Sequence, residues 1–419
     1  MTSRRILVTG LSTCWGGRVA QALERERDVE AIVGVDAHDP TVELERTEYV
    51  RVGHQHALLR RIVRAAEIDT VVDTRLVVDS TTTSPRLAHE NNVIGTMNIV
   101  AACSGPESPV RKFVFKSSAH WYGCEEDDPA YFTEDMDRPH PPRTPIEKDI
   151  VEAERAVHAF ADATPRASVT VLRFVNGLGP TLGTAHTRLF ALPAVPAVFG
   201  FDPRYQFVHE DDIVGCLEFA VRRDLPGIYN CGGDGVLVLS EVVDLLGKQF
   251  APVLPPWGTG IAAGLAGRVG VRIPPEMLRQ LRFGRGLDNR RLKAAGYAYR
   301  YTTREAVQAH AEALRLRPLL RGGDEPYRYE REVEEFLHRS PTVRKRPEPR
   351  WDHAEGDLDA YDDLDAAALV DLLPSLPRAD LEALGRHEAT NARRPEVLAA
   401  IGRNLARTRP LSGRDQESS

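Results

Sequence analysis

Short apolar runs recur along the first half of the chain, and each is closed by a glycine, an acid or a serine. Ile6-Leu7-Val8 stops at Thr9-Gly10, and beyond a loop Arg18-Val19-Ala20-Gln21-Ala22-Leu23 has helical spacing. Ala31-Ile32-Val33-Gly34-Val35 ends on Asp36, and Tyr49 to Val52 predicts a third strand. A helix over 57–66, a fourth strand at Asp69-Thr70-Val71-Val72, a polar loop over 79–84 and a helix holding Asn92 to Val100 follow. Lys112-Phe113-Val114-Phe115 is the fifth strand and runs into Ser117-Ser118. Strands alternating with helices in this way predict an α/β fold whose doubly wound parallel sheet is covered on both faces.

The alternation lapses from Thr181, where prolines and glycines cluster over 193–203 and again over 252–275. A first body is expected over 1–338, with its regular core at about 1–180 and a less regular part interleaved from about 181. A charged, proline-containing stretch over 339–357 predicts a linker. Within a module of 358–408, segments 366–373, 378–389 and 395–406 have helical periodicity, and Pro377 and Pro395 suit helix starts. Leu369, Leu372, Leu373, Leu381, Leu384, Val397, Leu398, Ile401 and Leu405 supply this small C-terminal helical appendage with an apolar core. Residues 409–419 predict a disordered tail.

Composition narrows the class. With 419 residues, 42% hydrophobic and 27% charged, the chain has the make-up of a globular protein of two or three units. A net charge of −7 argues against a general nucleic-acid-binding surface. Cys14, Cys103, Cys124, Cys216 and Cys231 show neither paired nor metal-ligand spacing, which suits a reducing compartment and offers no metal site. No apolar run approaches the ~20 residues of a membrane-spanning helix; the most apolar stretch, Ile261 to Val271, is short and glycine-rich and reads as a packed helix or loop. The first strand begins too early for an export signal, so the expected location is the cytoplasm. Basic residues are overwhelmingly arginine, and Lys112, Lys116, Lys148, Lys248, Lys293 and Lys345 are the only lysines.

Chemistry enters with the first turn. A strand, a glycine turn and a helix present free backbone N–H groups and the positive end of a helix dipole, and a pyrophosphate is the usual guest. Asp36, twenty residues after Gly16, stands where a dinucleotide fold places the acid that accepts hydrogen bonds from the adenosine ribose. A carboxylate there repels a 2′-phosphate, which favours NAD over NADP. Ligands of such sheets lie beyond the carboxyl ends of the strands, where Gly10, Asp36 and Ser118 all fall.

A longer set of motifs sharpens this. Val8-Thr9-Gly10, Asp36, Asn92-Val93-Ile94-Gly95-Thr96, Ser117-Ser118-Ala119-His120-Trp121-Tyr122-Gly123, Leu172-Arg173-Phe174-Val175-Asn176-Gly177-Leu178-Gly179-Pro180 and Phe207-Val208-His209-Glu210-Asp211-Asp212 occur in order. Gly227 to Gly233 and Asp288 follow. Over roughly residues 4–315 the chain resembles the extended short-chain dehydrogenase/reductases, in their nucleotide-sugar epimerase/dehydratase branch. The resemblance implies a Rossmann-type NAD-binding domain, a smaller substrate domain in the half beginning near 181, a nucleotide-sugar ligand and room for a homodimer. The phosphate loop of that family carries glycines at three places, which here fall on Gly10, Thr13 and Gly16. A β-branched Thr13 crowds the middle contact, so weakened NAD binding is expected. The acid that follows the third strand in the family is missing at Gly53-His54.

The larger departure concerns acid/base chemistry. The family uses a tyrosine, three residues, then a lysine, commonly with a glutamate four positions further. Counted back from Leu172-Arg173, this chain has Ile146, Ile150 and Glu154 in those places. A second register, moved by two residues, has Thr144, Lys148 and Glu152. A two-residue shift rotates a helix by about 200°, so the registers bury opposite faces. The first is preferred because it lines up Ile146, Ile150, Val157 and Phe160; neither supplies the tyrosine.

Ser118 matches the serine that hydrogen-bonds the reacting hydroxyl, and in a plainer role ends a strand. His120 and Tyr131 are candidate substitute bases, while Tyr122 suits packing. Arg75, where the family has small residues, meets either a phosphate or one of the acids Asp73 and Asp79. Arg188, Arg204, Arg282 and Arg285 are surface arginines or diphosphate ligands. The tail motifs Tyr361-Asp362-Asp363-Leu364, His387-Glu388, Asn391 and Arg394-Pro395 are similar to a short helical appendage of otherwise unrelated actinobacterial proteins, with a protein partner expected through 358–408. The functional expectation is an NAD-binding family member with a degenerate acid/base site, non-catalytic or altered in its chemistry. The alternative is an active epimerase, dehydratase or reductase on a nucleotide sugar with a substitute acid/base.

Overall fold

A computed structural model of the chain describes residues 3–52, 56–255 and 273–316, and beyond them 366, 369–370, 373, 378–390 and 393–407. The expected linker over 339–357, the tail over 409–419, the Tyr361–Leu364 motif, Gly53-His54 and the stretch Ile261 to Val271 lie outside the described residues. The chain divides into one unit over Met1–Gly323 and another over Asp324–Ser419.

The first unit carries strands β1 (Arg5–Thr9), β2 (Ala31–Asp36), β3 (Thr47–Arg51), β4 (Thr70–Asp73), β5 (Lys112–Ser118), β6 (Ser168–Phe174), β7 (Asn176–Leu178), β8 (Ala194–Val198), β9 (Arg204–Tyr205), β10 (Phe207–His209), β11 (Gly227–Cys231), β12 (Leu237–Val238) and β13 (Gln249–Leu254). Its helices are α1 (Cys14–Glu24), α2 (His56–Ala65), α3 (Pro85–His89), α4 (Gly95–Cys103), α5 (Pro145–Ala163), α6 (Ala185–Phe190), α7 (Glu210–Arg222), α8 (Leu239–Leu245), α9 (Pro275–Phe283), α10 (Arg290–Ala294) and α11 (Thr303–Arg315). Seven strands form one sheet in the order β11-β6-β5-β4-β1-β2-β3, and every pairing in it is parallel. The sheet is the doubly wound one that the alternating pattern predicts.

Strand periodicity sorts the core into two layers. Ile6, Val8, Val72 and Val114 point to the face covered by α1 and α7, through Val19, Leu23, Ile213 and Leu217. Leu7, Val71, Phe113 and Phe115 point to the opposite face, covered by α2, α4 and α5 through Leu59, Ile99, Ile146 and Ile150. The helix expected around Asn92 is α3 and α4 joined by one π turn over Glu90–Ile94. That turn places Asn92 so that its amide bonds both the N–H and the carbonyl of Val77, each at 2.8 Å, and so fixes the loop leaving β4. A third cluster, which includes Leu178, Phe190, Tyr205, Phe207 and Leu281, forms the less regular half of the unit.

In the second unit, α12 (Arg378–Thr390) and α13 (Pro395–Arg407) pack through Leu381, Leu384, Val397 and Ile401 with Leu369 and Leu373, close to the boundaries that periodicity predicts. The buried Glu388 carboxylate accepts from Arg394 N at 2.8 Å and pairs with its guanidinium at 2.8 Å, which fixes the start of α13. Among the described residues no helix is long and apolar enough to cross a membrane.

Candidate functional site

Strand β1 delivers the chain to Gly10, whose φ of +81° is a conformation that side chains rarely adopt. A Cβ there would lie 2.7 Å from Arg75 Cγ, and one on Gly16 would lie 2.2 Å from the Gly10 carbonyl oxygen. These two glycines let β1, β4 and α1 close up. Thr13 is the N-cap of α1: its hydroxyl accepts from Gly16 N at 3.1 Å and donates to the Gly10 carbonyl at 2.6 Å. The residue that replaces the middle glycine therefore completes the turn's own bonding. Asp36, at the end of β2, accepts from both N and Oγ of Ser12 at 2.8 Å and from His38 N at 3.2 Å. The acid and the glycine turn are stitched into one rim.

Arg75 spans the mouth of that turn, and a Cβ on Gly95 would lie 2.6 Å from one of its guanidinium nitrogens. Of the partners open to it in the sequence it takes Asp73, with Nε and Nη2 donating at 3.1 and 3.3 Å. Asp79 instead holds Arg188 at 2.8 Å. Burial pushes the Asp73 carboxyl up, but Arg75 and the Thr9 hydroxyl, 2.7 Å away, outweigh it and hold the group below the usual carboxylate range.

Helix α5 starts at the N-cap Thr144, whose hydroxyl accepts from Glu147 N, with Pro145 in the first turn. It buries Ile146, Ile150, Ala153, Val157 and Phe160 against the sheet and leaves Lys148 and Glu152 exposed. Glu154 is fully buried on the same helix, accepts from Ser117 Oγ, and pairs with Arg173 of β6, Nη2 at 2.7 Å and Nε at 3.1 and 3.2 Å. Arg173 in turn stacks 3.4 Å from the Trp121 ring centroid. The register that buries Ile146 and Ile150 is the one the helix adopts, locked by a bidentate ion pair.

Consecutive residues of a strand face opposite ways, so Ser118 points away from Glu154. Its hydroxyl accepts from His120 N at 3.3 Å, which caps the short turn Ala119–Trp121. His120 is buried and held neutral: burial lowers its pKa well below the usual value, and the Arg285, His186 and Arg138 charges push the same way. Tyr131 is 41% exposed and packs its ring beside Gly286. Tyr122 is a packing residue, stacked on Phe132 with its hydroxyl 2.9 Å from Asn230. Of the other arginines singled out, Arg204 is exposed, Arg282 stacks on Phe201 and Phe283 at 5.2 and 4.9 Å, and Arg285 is buried beside His120.

Sequence reasoning passed over several groups. Lys116 lies buried between Trp15 and Phe174, 5.4 and 5.9 Å from their ring centroids, and burial lowers its pKa to about 8. A lysine inside a central strand of a lysine-poor chain was a usable signal. His186, Tyr205 and Gln280 carried none, since each comes from a different element and sits among apolar neighbours. Asp127, Asp128 and His140 approach one another on the loops after β5, with His140 Nε2 2.8 Å from Asp127.

Comparison with known proteins places this geometry. An uncharacterized protein of Mycobacterium tuberculosis is 32% identical over 322 residues, which span 75% of this chain and 85% of the relative. A UDP-glucose 4-epimerase of Thermotoga maritima, solved with UDP-glucose, matches with a TM-score of 0.57 at 20% identity, over 74% of this chain and 98% of that one. MoeE5, solved with UDP-glucuronic acid and NAD, matches with a TM-score of 0.56 at 23% identity, over 74% and 99%. At those identities the structural matches establish the fold. The family model for the NAD dependent epimerase/dehydratase family matches residues 6–232, and the chain belongs to that family.

Proposed function

We propose that this chain binds NAD and a nucleotide sugar but lacks the acid/base step of its family, acting as a binding protein or through altered chemistry. The observation that carries the reading is the face of α5: Ile146 and Ile150, at the places of the family's tyrosine and lysine, are 1% and 0% exposed and belong to the sheet core. An alkyl side chain neither exchanges a proton nor hydrogen-bonds a ribose. The cofactor half supports binding. Gly10 and Gly16 keep the backbone close, Thr13 orders the turn, α1 offers its N-terminus, and Asp36 stands at the edge as the ribose acceptor. NAD, when bound, supplies a hydride acceptor. Arg75 narrows the site between the two halves, which accords with weakened binding.

The neighbours solved with UDP-glucose, UDP-glucuronic acid and NAD make those molecules the first ligands to try. Calorimetric titration with NAD, followed by absorbance at the NADH band after adding UDP-glucose or UDP-glucuronic acid, tests the reading. Binding without reduction is expected. Reduction that survives in Ile146→Ala but is lost in His120→Ala favours the substitute-base alternative, for which the supporting observation is that His120 lies on the short turn that Ser118 caps. Absence of NAD binding removes both readings.

A further inference from the structure

Arg285 follows α9 and is 5% exposed, yet among the described residues no carboxylate forms an ion pair with it. Among the described residues its side chain makes one hydrogen bond, from Nη1 to the Gly123 carbonyl at 2.7 Å. Of the acids whose fields reach it, Glu147 is engaged by Arg138, while Asp128 accepts from the Glu125 amide through one oxygen and has no hydrogen bond at the other. A guanidinium out of water without a counter-ion is costly, and such a group is retained where an anion arrives to complete it.

The surroundings are short of partners as well. The Tyr205 hydroxyl is buried with no hydrogen-bond partner, and His186 Nε2 and Gln280 Oε1 are buried with only a poorly aligned contact to each other. His186 and Tyr205 face each other edge to face at 5.6 Å, and the Arg285 charge is felt by His120, His186, Tyr205 and Cys124 alike. One buried cation, two ring or hydroxyl donors and one amide acceptor thus come together from α6, β9, α9 and the segment after α9. Few buried polar groups in a folded protein stay unpaired, so several in one place point to a missing ligand.

We propose that Arg285, with Tyr205, His186 and Gln280, forms a subsite for a carboxylate on the sugar moiety of the ligand. The inference rests on the nucleotide-sugar reading above and names the class of sugar. Two anions compete for the role, the diphosphate and a sugar carboxylate. Arg285 is tied to Gly123 and acts on His120, both on the short segment that begins at Ser118, which is the end of the site where the family's reacting hydroxyl lies. A planar carboxylate accepts two parallel N–H bonds from one guanidinium, and the Tyr205 hydroxyl and His186 Nε2 supply further donors. Gln280 Oε1 accepts from a neighbouring sugar hydroxyl.

The test is calorimetric titration of the full chain with UDP-glucuronate, UDP-glucose and UDP, for the wild type and for Arg285→Gln and Tyr205→Phe. The wild type is expected to prefer UDP-glucuronate over UDP-glucose by about ten- to a hundredfold, and Arg285→Gln to abolish that preference while leaving UDP-glucose and UDP unchanged. Tyr205→Phe deletes only an unpartnered hydroxyl, so it keeps the fold and lowers the preference by about three- to tenfold. Equal losses for all three ligands in Arg285→Gln overturn the proposal in favour of the diphosphate. A wild type that binds the two sugars equally overturns it while the nucleotide-sugar reading stands, and a wild type that binds none of the three overturns both.

Discussion

The turn after β1 and the face of α5 are used together by the family, and they have fared differently in this chain. The turn keeps its backbone: Gly10 holds its positive φ, Gly16 still lies against the Gly10 carbonyl, and only the middle position is filled, by a threonine that bonds within the turn. Helix α5 packs Ile146 and Ile150 into the sheet core, at the places where the proposed reading puts the family's tyrosine and lysine. The difference is physical. Backbone conformation at the turn is fixed by sterics, and loss of Gly10 or Gly16 would break the fold; two side chains on a helix face can become aliphatic and gain burial. On the proposed reading, fold and binding geometry outlast proton-transfer chemistry.

The largest effect is expected where the α5 register is locked. Arg173→Met leaves the buried Glu154 carboxylate with only the Ser117 hydroxyl and the half-exposed His158, 3.8 Å away, and should lower unfolding stability by about 2–4 kcal/mol in chemical denaturation. Adding Glu154→Leu should recover most of it. A small loss in the single variant would mean that apolar packing alone sets the register.

Restoring the family's pair with Ile146→Tyr and Ile150→Lys sharpens the contrast with the turn. Both groups would enter a packed apolar layer, at a cost of roughly 2–4 kcal/mol and without NAD reduction. A stable, active double variant would show that the helix face is still open to the site.

Acid should act on the rim between the two regions. Burial keeps His186 uncharged, with its pKa lowered to about 4; Asp79 and the contact with Gln280 oppose this and Arg285 adds to it. The unfolded histidine titrates near 6.5, so the unfolded chain binds the extra proton first, and stability present above that pH is lost as pH falls toward 4. The loss from this group amounts to about 3 kcal/mol. A His186→Phe variant should flatten the denaturation midpoint over that window.

The smallest effect concerns the turn itself. Asp36→Ala should weaken NAD about tenfold in calorimetry with little change in melting temperature, since the acid's protein bonds are to the exposed rim at Ser12 and His38. Unchanged affinity would remove Asp36 from the cofactor site and with it the idea that the turn has outlasted the chemistry.

Much of this was legible in the residue pattern. The strands β1, β2, β4 and β5 follow from short β-branched runs closed by glycine or acid, because parallel strands buried on both faces need uninterrupted apolar side chains. Gly10, Gly16 and Asp36 could be placed from spacing alone, since the turn they build is local. The partners of Arg75 could not, because Asp73 and Asp79 lie at comparable sequence distance and only the path of the loop decides between them.

The sequence alone determined the alternating elements, the glycine turn, the absence of a tyrosine in either register of α5 and the small helical appendage, each a matter of local sterics or periodicity. The tertiary structure decided how a carboxylate comes to lie on the apolar face of α5 that periodicity picked out, because its partner Arg173 reaches Glu154 from another strand. It also decided that Arg285, one arginine among many, is buried without an ion pair among the described residues, near the unpartnered Tyr205 hydroxyl. Charge and burial at such a place are properties of the assembled neighbours, and no window of sequence contains them.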